Sequence, residues 1–348
     1  MRRHLAPLKR LLRPTALAVA LLPAAAAWAV NGGTTATDVV HQDTTTGAVA
    51  GGNTSVASGL SATALGTDSL VVGDRGTAAG GQTQVLQSDG SAFGYGAAAN
   101  GLSGTAVGAA SQAVGLGTSA LGFNAIASGD RSMALGTAAQ SIGVNSVAVG
   151  ADSIAFSSGA VAVGLGSEAV GGNSVALGAA STSQATNAVA IGANATANQN
   201  GAVAIGNLAT ASASGSVALG QNSSATRANT VSVGDAASGL TRQITSVAAG
   251  TQATDAVNLA QLNSATAASQ QKADAVGAAG GAAMAAAVSA AGMRTPNRVA
   301  LGAAAFNGQA GMGLAYQHAF GENWTATLAG ASAGSSNTQF SGGAAFGW

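Results

Sequence analysis

The residue types that carry most enzyme chemistry and metal binding are few and scattered in this chain. Its 348 residues include three histidines, His4, His41 and His318, and no cysteine. None of the histidines is accompanied by a Ser, Asp or Glu group at a recognisable catalytic spacing. Acidic residues such as Asp130 and Asp152 stand alone, and without cysteine there is no disulfide, thiol catalysis or cysteine-ligated metal. The sequence therefore predicts no enzyme, no metal site and no cofactor.

Two glycine-rich words, Gly94–Gly96 and Gly164–Gly166, superficially resemble loops that bind nucleotide phosphates. No crossover helix is predicted after either word, so neither is typical of such a loop. Both belong instead to a repeat in which glycine recurs every fourteen residues. The fourteen glycines stand at positions 52, 66, 80, 94, 108, 122, 136, 150, 164, 178, 192, 206, 220 and 234. With 52 glycines in 348 residues, chance does not explain this series, so the repeat organises the chain.

Most repeats carry the same short sequence motif, here called a word, which ends at the glycine. In Ser146–Gly150, Ser174–Gly178 and Ser216–Gly220, large apolar residues alternate with small ones. A period of two is typical of a β-strand, and glycine permits a bend that other residues resist. A weaker glycine series lies seven residues from the main one, so each unit is predicted to be two short strands joined by two tight turns. Fourteen residues cannot bury a core alone, but stacked coils of a parallel β-solenoid can.

The repeats are not uniform along the chain. In the seven words that end at glycines 150 to 234, the positions one and three before glycine are all Val, Leu or Ile. This predicts a continuous aliphatic face that stacks coil on coil. Residues 81–92 keep the spacing but lose the word, which predicts a loop that bulges there. Residues 30–50 are polar and unpatterned, and they form either an N-terminal cap or a frayed end.

The composition suits thin layers better than a conventional globular core. Aromatic residues make up 3% of the chain and charged residues 7%. The formal net charge is zero, but five of the twelve basic residues lie within the first thirteen positions. Without that segment seven basic and twelve acidic residues remain, a net charge of about −5. A mildly acidic chain is a poor match for nucleic acid, so no nucleic-acid partner is predicted.

Residues 1–29 are predicted to be a secretory signal peptide. A basic region ends at Arg13, and the apolar run 16–22 follows it. Residues 27–29 read Ala-Trp-Ala, the small-x-small form that signal peptidase accepts. The alternative is a membrane anchor, but the apolar run is too short and Pro23 interrupts it.

After position 234 the repeat stops and a helical pattern begins. Thr254 or Asp255 is the predicted N-cap. Leu259 and Leu262 begin a weak heptad seam of the kind found in coiled coils. Residues 275–292 are almost all Ala and Gly, so this helix is slender enough to stand inside a narrow channel.

From position 298 the apolar period returns to two. The predicted strands are 298–306, 309–320, 323–333 and 339–348. Each is nine to twelve residues long, which is enough to cross a membrane with tilt. Tyr316, Phe320, Trp324 and Trp348 are candidates for interfacial aromatic girdles. The chain ends on Trp348, an aromatic end of the kind that outer-membrane β-barrels present for assembly.

These segments together resemble a trimeric autotransporter adhesin of the YadA type. The words Asn145–Gly150 and Asn173–Gly178 resemble its head repeats, Arg242–Leu262 resembles its neck, and residues 298–348 resemble its membrane anchor. The resemblance gives these expected domains: 1–29 signal peptide, 30–239 head, 240–262 neck, 263–293 short coiled-coil stalk and lumen helix, 294–348 anchor.

The resemblance implies a mainly β homotrimer in the bacterial outer membrane. The head would be a left-handed parallel β-roll, and each chain would give four strands to a shared twelve-stranded barrel. Leu259 and Leu262 would face the three-fold axis, and Gly302 would leave room in the barrel lumen. Trp348 would be the C-terminal signal for the barrel-assembly machinery.

The resemblance also implies adhesion to extracellular matrix or cell surfaces through the head words. Asn145, Ser146, Asn173 and Ser174 are then the candidate adhesive residues. A plainer interpretation is that Val and Leu of these words form the core and only Ser or Asn is exposed. Two other functions stay open. One is autoaggregation or biofilm formation without a specific host ligand, and the other is a translocation module whose barrel exports its own head.

Overall fold

The computed structural model describes most of the chain as two compact units that divide after Arg242. The described residues are 41–291, 293–333 and 337–346. The predicted signal peptide 1–29, with His4, and the C-terminal Trp348 lie outside the described residues.

The first unit is a parallel β-solenoid with a fourteen-residue coil, as the glycine repeat predicts. Its first sheet has fifteen strands: β1 (His41–Gln42), β2 (Val49–Gly51), β4 (Thr63–Leu65), β6 (Thr77–Ala79), β8 (Ser91–Phe93), β10 (Thr105–Val107), β12 (Ser119–Leu121), β14 (Met133–Leu135), β16 (Val147–Val149), β18 (Val161–Val163), β20 (Val175–Leu177), β22 (Val189–Ile191), β24 (Val203–Ile205), β26 (Val217–Leu219) and β28 (Val231–Ser232). Its second sheet has thirteen: β3 (Val56–Ala57), β5 (Leu70–Val71), β7 (Gln84–Val85), β9 (Ala98–Ala99), β11 (Gln112–Ala113), β13 (Ile126–Ala127), β15 (Gln140–Ser141), β17 (Ile154–Ala155), β19 (Glu168–Ala169), β21 (Thr182–Ser183), β23 (Thr196–Ala197), β25 (Thr210–Ala211) and β27 (Ser224–Ala225). Each coil thus gives one strand to each sheet.

Successive coils stack in strict register. Ala148 pairs with Ala162, for example, and Ile154 pairs with Glu168, in each case fourteen residues further on. The prediction of a bulging loop at 81–92 is wrong, because β7 and β8 pair with the strands of the coils on both sides. At the first coil, β1 runs antiparallel to β2 and covers that edge of the first sheet. Residues 41–51 therefore form a cap.

The interior of the solenoid is lined by small side chains. Alanine two positions before each glycine of the main series from Gly66 to Gly220 is fully buried, as at Ala148, Ala176 and Ala204. The aliphatic residues on either side of this alanine point outward and are half-buried or exposed. The aliphatic face is therefore continuous, as expected, but it lies outside the coil rather than in its core. Because each coil has only fourteen residues, the space between the two sheets accepts Ala, Ser and an occasional Thr or Val.

The glycine at the end of each word is required by its backbone. Gly150 has φ +123°, and an added Cβ would lie 2.5 Å from the carbonyl oxygen of Gly164 in the next coil. Such a conformation is strained for any other residue. Glycine in the weaker series, such as Gly143, has no positive φ, and Ser157 and Ala185 occupy the equivalent place in other coils. This explains why the fourteen-residue series is unbroken and the seven-residue series is not.

The second unit begins with loops and a long helix, α1 (Leu259–Ala291). Its N-cap is Asn258, not Thr254 or Asp255. The Asn258 Oδ1 accepts from the Gln261 backbone N–H at 3.0 Å, and the Gln261 Oε1 accepts from the Asn258 N–H at 3.3 Å. Asp255 instead accepts from the backbone N–H groups of residues 251 and 252. Among the described helices, α1 alone is long and apolar enough to cross a membrane by length and composition.

The second unit ends in a four-stranded antiparallel meander. Its strands are β29 (Asn297–Phe306), β30 (Gln309–Phe320), β31 (Trp324–Ala333) and β32 (Asn337–Phe346), in that order across the sheet. These bounds agree with the predicted strands to within two residues. The sheet packs one face on α1 through alanines, among them Ala278, Ala282, Ala315 and Ala329.

Candidate functional surfaces

Asn145 and Asn173 of the candidate adhesive words are exposed turn residues. Their φ angles are +57° and +53°, the left-handed region that asparagine tolerates better than most residues. The Asn145 Oδ1 also accepts a 2.8 Å hydrogen bond from Arg131 Nε in the preceding coil. Both asparagines thus have a structural reason to recur, and both keep side-chain atoms at the surface.

Ser146 and Ser174 are fully buried, which corrects the expectation that they face a ligand. The Ser146 hydroxyl donates to the Gly143 carbonyl at 2.6 Å and lies 2.6 Å from the Ser141 hydroxyl. The Ser174 hydroxyl has no hydrogen-bond partner among the described residues. These serines point into the narrow interior, so of the four candidates only the two asparagines can meet a ligand at the surface.

The outer face of the first sheet carries a long aliphatic stripe. Leu135, Leu177 and Leu219 each stand one position before a glycine and keep 42–45% of their surface exposed. The interpretation in which Val and Leu form the core and only Ser or Asn is exposed is therefore wrong for Val, Leu and Ser and right for Asn145 and Asn173. A contiguous apolar stripe of this length is typical of a surface that another protein surface covers.

Charged groups on the head form few contacts. Arg75 and Asp89, one coil apart, make a bidentate pair with 2.6 and 2.8 Å between nitrogen and oxygen. Hydrogen bonding from Arg75 lowers the pKa of Asp89. The described residues contain no cluster of three His, Cys, Asp or Glu that could hold a metal ion. His318, the one histidine in the second unit, contacts Asn297 and Phe320 rather than an acid.

The inner face of the four-stranded sheet is shaped to the helix by three glycines. An added Cβ on Gly302 would lie 2.2 Å from the Ala286 nitrogen and 2.3 Å from the Ala282 oxygen. Gly311 and Gly313 would likewise meet the α1 backbone, at 2.4 and 2.6 Å. The helix backbone therefore rests directly on this sheet, with no room for side chains at these three places.

The opposite face of the same sheet is apolar and uncovered in the single chain. Leu301, Met312, Leu328 and Phe340 are all mostly exposed. Alternation along each strand thus separates a small, helix-facing side from a large, apolar outer side. Such a sheet suits a hydrocarbon environment on its outer side.

One polar contact between helix and sheet is not evident from the sequence pattern. Asp274 of α1 is 8% exposed, and its Oδ1 accepts from Asn307 at 3.1 Å and from Gln270 at 3.0 Å. The only hint of this contact in the sequence is that Asp274 is an acidic residue inside an Ala-rich helix, and that alone does not identify its partner. The contact fixes the helix against the β29–β30 turn.

Leu259 and Leu262 lie in the first turn of α1 and are 71% and 56% exposed. Within the single chain nothing among the described residues covers them. Their exposure suits a contact with other chains, while the trimer itself stays a prediction.

Two family models match the chain. One, described as the coiled stalk of trimeric autotransporter adhesin, matches residues 243–284. The other, described as a YadA head domain repeat in two copies, matches residues 46–69, 99–125, 113–139, 127–153, 141–167, 157–181, 169–195, 183–209 and 211–237. Together the two models account for more than half of the chain.

A solved structure is also similar to the chain. It is the crystal structure of the collagen-binding domain of the Yersinia adhesin YadA, 27% identical, with a TM-score of 0.30. The similarity covers 61% of this chain and 86% of that one. No curated protein shows a significant sequence match.

Proposed function

Since the chain belongs to the YadA-like trimeric autotransporter adhesins, we propose that it is a homotrimer that exports and displays its own head on the bacterial outer membrane. The head then binds host extracellular matrix or cell surfaces. The stalk would be short, and residues 294–348 of three chains would form the anchor.

The proposal of a membrane anchor is supported by the different character of the two faces of the four-stranded sheet. Its outer side is apolar, and its inner side fits closely against a helix. Its edge strands β29 and β32 pair with β30 and β31 respectively, and the free edge of each has no partner among the described strands. In lipid every backbone polar group needs a partner, so four strands cannot remain open. Three copies supply twelve strands, which close the edges and hold three helices inside.

The adhesive role rests on the surface that repeats along the head. Thirteen coils stack at about 4.7–4.9 Å intervals, and each presents outward-facing residues of both sheets. Weak contacts at many coils, multiplied by three chains, give avidity without a single strong site. Asn145 and Asn173 are the candidate contacts that remain at the surface.

Adhesion is tested with cells that display the full chain, on surfaces coated with collagen, fibronectin or laminin. We expect displaying cells to adhere more than cells without the protein. The variant Asn145→Gly/Asn173→Gly should adhere less at equal display. Glycine already fills the same coil position at Gly159, Gly201 and Gly215, so the turns are kept.

Settling of the same cells in suspension tests the alternative function. Rapid settling without adhesion to any coated surface would favour autoaggregation over matrix binding. Equal adhesion of the double glycine variant would show that the two asparagines only build turns.

A further inference from the structure

The last coils of the head differ from the rest in charge. Between residues 169 and 234 there is no Asp, Glu, Lys or His, and the one charged side chain is Arg227. The preceding coils carry acids at Asp130, Asp152 and Glu168, for example. Neutral side chains therefore supply almost all the hydrogen-bonding groups that this stretch can offer a ligand.

The outer face of the second sheet in these coils is a ladder of neutral polar side chains. Thr182, Thr196 and Thr210 are paired in register on β21, β23 and β25. Two residues after each threonine stand Gln184, Asn198 and Ser212, in a second row. We call these six residues the polar ladder. In every earlier coil at least one of these two positions is apolar, as in the pairs Gln112/Val114 and Gln140/Ile142 and at Ile126 and Ile154, so only this end has both rows polar.

The polar ladder leads into a groove at the end of the head. The groove has a volume of about 570 Å³ and is lined by Thr210, Asn222, Ser224 and Asp235, with Leu208 and Leu240 as its apolar part. The side chains of Thr210, Asn222 and Ser224 make no hydrogen bond with any described residue. Their donors and acceptors are thus available to a ligand.

The groove carries one negative charge. Hydrogen bonds from Ser238 and from the Ala237 backbone lower the pKa of Asp235, which is therefore ionised at neutral pH. The described lining residues include no cation, and the adjacent Arg242 is engaged with the Val233 and Gln221 carbonyl groups, so the Asp235 carboxylate disfavours sulfated or carboxylated ligands in the groove. Hydroxyl-rich neutral ligands accept and donate hydrogen bonds to all these groups, and small apolar patches suit the C–H faces of sugar rings.

We propose that the groove and the polar ladder bind a neutral, extended polysaccharide. The chain of sugars would run along the solenoid axis, because the hydroxyl groups of the ladder recur in a straight line at about 4.7–4.9 Å. Each coil then offers a threonine hydroxyl to successive sugars, and the groove holds one end. The second row adds the Gln184 amide, the Asn198 Nδ2 group and the Ser212 oxygen as an acceptor, because the Asn198 Oδ1 is buried and the Ser212 hydroxyl donates to the Ala225 carbonyl. This binding is separate from matrix adhesion by the head.

The test uses the full-length protein in detergent, with retardation in native gels that contain hydroxyethyl cellulose. Heparin serves as the anionic comparison. The wild-type protein should be retarded by hydroxyethyl cellulose and not by heparin. The variant Thr196→Val/Thr210→Val should bind about fivefold more weakly for each lost hydroxyl. It should fold, because Ile126 and Ile154 occupy the same place in other coils.

The matched control is Thr63→Val/Thr77→Val on the first sheet, where Val49 is the neighbour in register. It should bind like the wild type. A second variant, Asn222→Gly, removes the groove amide and keeps the turn, since Gly96 and Gly166 fill that position elsewhere. It should also weaken binding. Three results would each overturn the proposal. These are failure of hydroxyethyl cellulose to retard the wild type, equal retardation of the ladder variant and the control variant by hydroxyethyl cellulose, and stronger retardation of the wild type by heparin than by hydroxyethyl cellulose.

Discussion

Replacing Gly302 with alanine tests whether the helix rests directly on the sheet. The added Cβ would lie 2.2 Å from the Ala286 nitrogen and 2.3 Å from the Ala282 oxygen. Both are backbone atoms, so no side chain can rotate away. To lengthen the shorter approach to an ordinary contact of 3.4 Å, helix and sheet must separate by about 1.2 Å.

The separation would also loosen the alanine contacts beside it. Overpacking of this kind costs about 1–3 kcal/mol for each chain, and a trimer contains three copies, so the assembly loses roughly 3–9 kcal/mol. We expect the SDS-resistant trimer of Gly302→Ala to dissociate at a clearly lower temperature. Display of the head on cells, measured by flow cytometry, should fall with it, and a larger residue at 302 should lower display further.

The matched control is Gly343→Ala in strand β32 of the same sheet. An added Cβ at Gly343 meets no atom within 4 Å, so this variant should keep both trimer stability and display. If Gly302→Ala matched the wild type in both measurements, the close approach of helix and sheet would be wrong.

Three further predictions concern the neck and the head. Leu259→Asp/Leu262→Asp should abolish the SDS-resistant trimer, because both leucines would face the three-fold axis; a persistent trimer on gels would mean that the barrel alone joins the chains. Gly150→Ala should lower the thermal stability of the head by about 1–3 kcal/mol or more because of its positive φ, whereas Gly172→Ala, whose φ is not positive and whose added Cβ would meet only the Ser158 oxygen at 3.9 Å, should have a smaller effect in the same melting experiment. Hydrogen bonds from the backbone at residues 251 and 252 lower the pKa of Asp255, so its contribution to stability is present at neutral pH and is lost as pH falls below the usual carboxyl value of 3.8. The melting temperature of Asp255→Asn should therefore depend less on pH between 7 and 3 than that of the wild type, and parallel curves would refute this role.

The sequence predicts the architecture well because the repeat is enforced by backbone geometry. All the glycines of the fourteen-residue series except Gly234 have a positive φ, so the same bend recurs from coil to coil and the solenoid with its strand pairs follows directly. The four C-terminal strands are likewise marked by alternation and turn residues, and the structure confirms them to within two residues.

The sequence does not show which side of a short strand is inside. Alternation separates Ser146 and Ala148 from Val147 and Val149, and hydrophobicity alone assigns the valines to the core. The narrow interior reverses this assignment, since only small residues fit between the sheets. The coil at 81–92 looked irregular because its outer residues change, yet Thr83 and Ala92 keep its interior regular.

The helix start was missed for a different reason. Thr254 and Asp255 are good N-cap types, but Asn258 and Gln261 form a reciprocal capping box three residues apart. Gln261 is also held by two 2.9 Å hydrogen bonds with the Gly250 backbone. The spacing of Asn258 and Gln261 is itself a local signature of a capping box, so the sequence does mark this helix start. The contact with Gly250, eleven residues before Gln261, stabilises it further.

The central claim is that three copies of the chain form a surface-exposed trimer anchored in the outer membrane. It is tested by running outer-membrane fractions, unheated and heated, on SDS gels with antibody to the head, beside protease shaving of intact cells. The account predicts a heat-sensitive band near three times the monomer mass that external protease removes. A soluble monomeric band would contradict it and leave a secreted solenoid without an anchor.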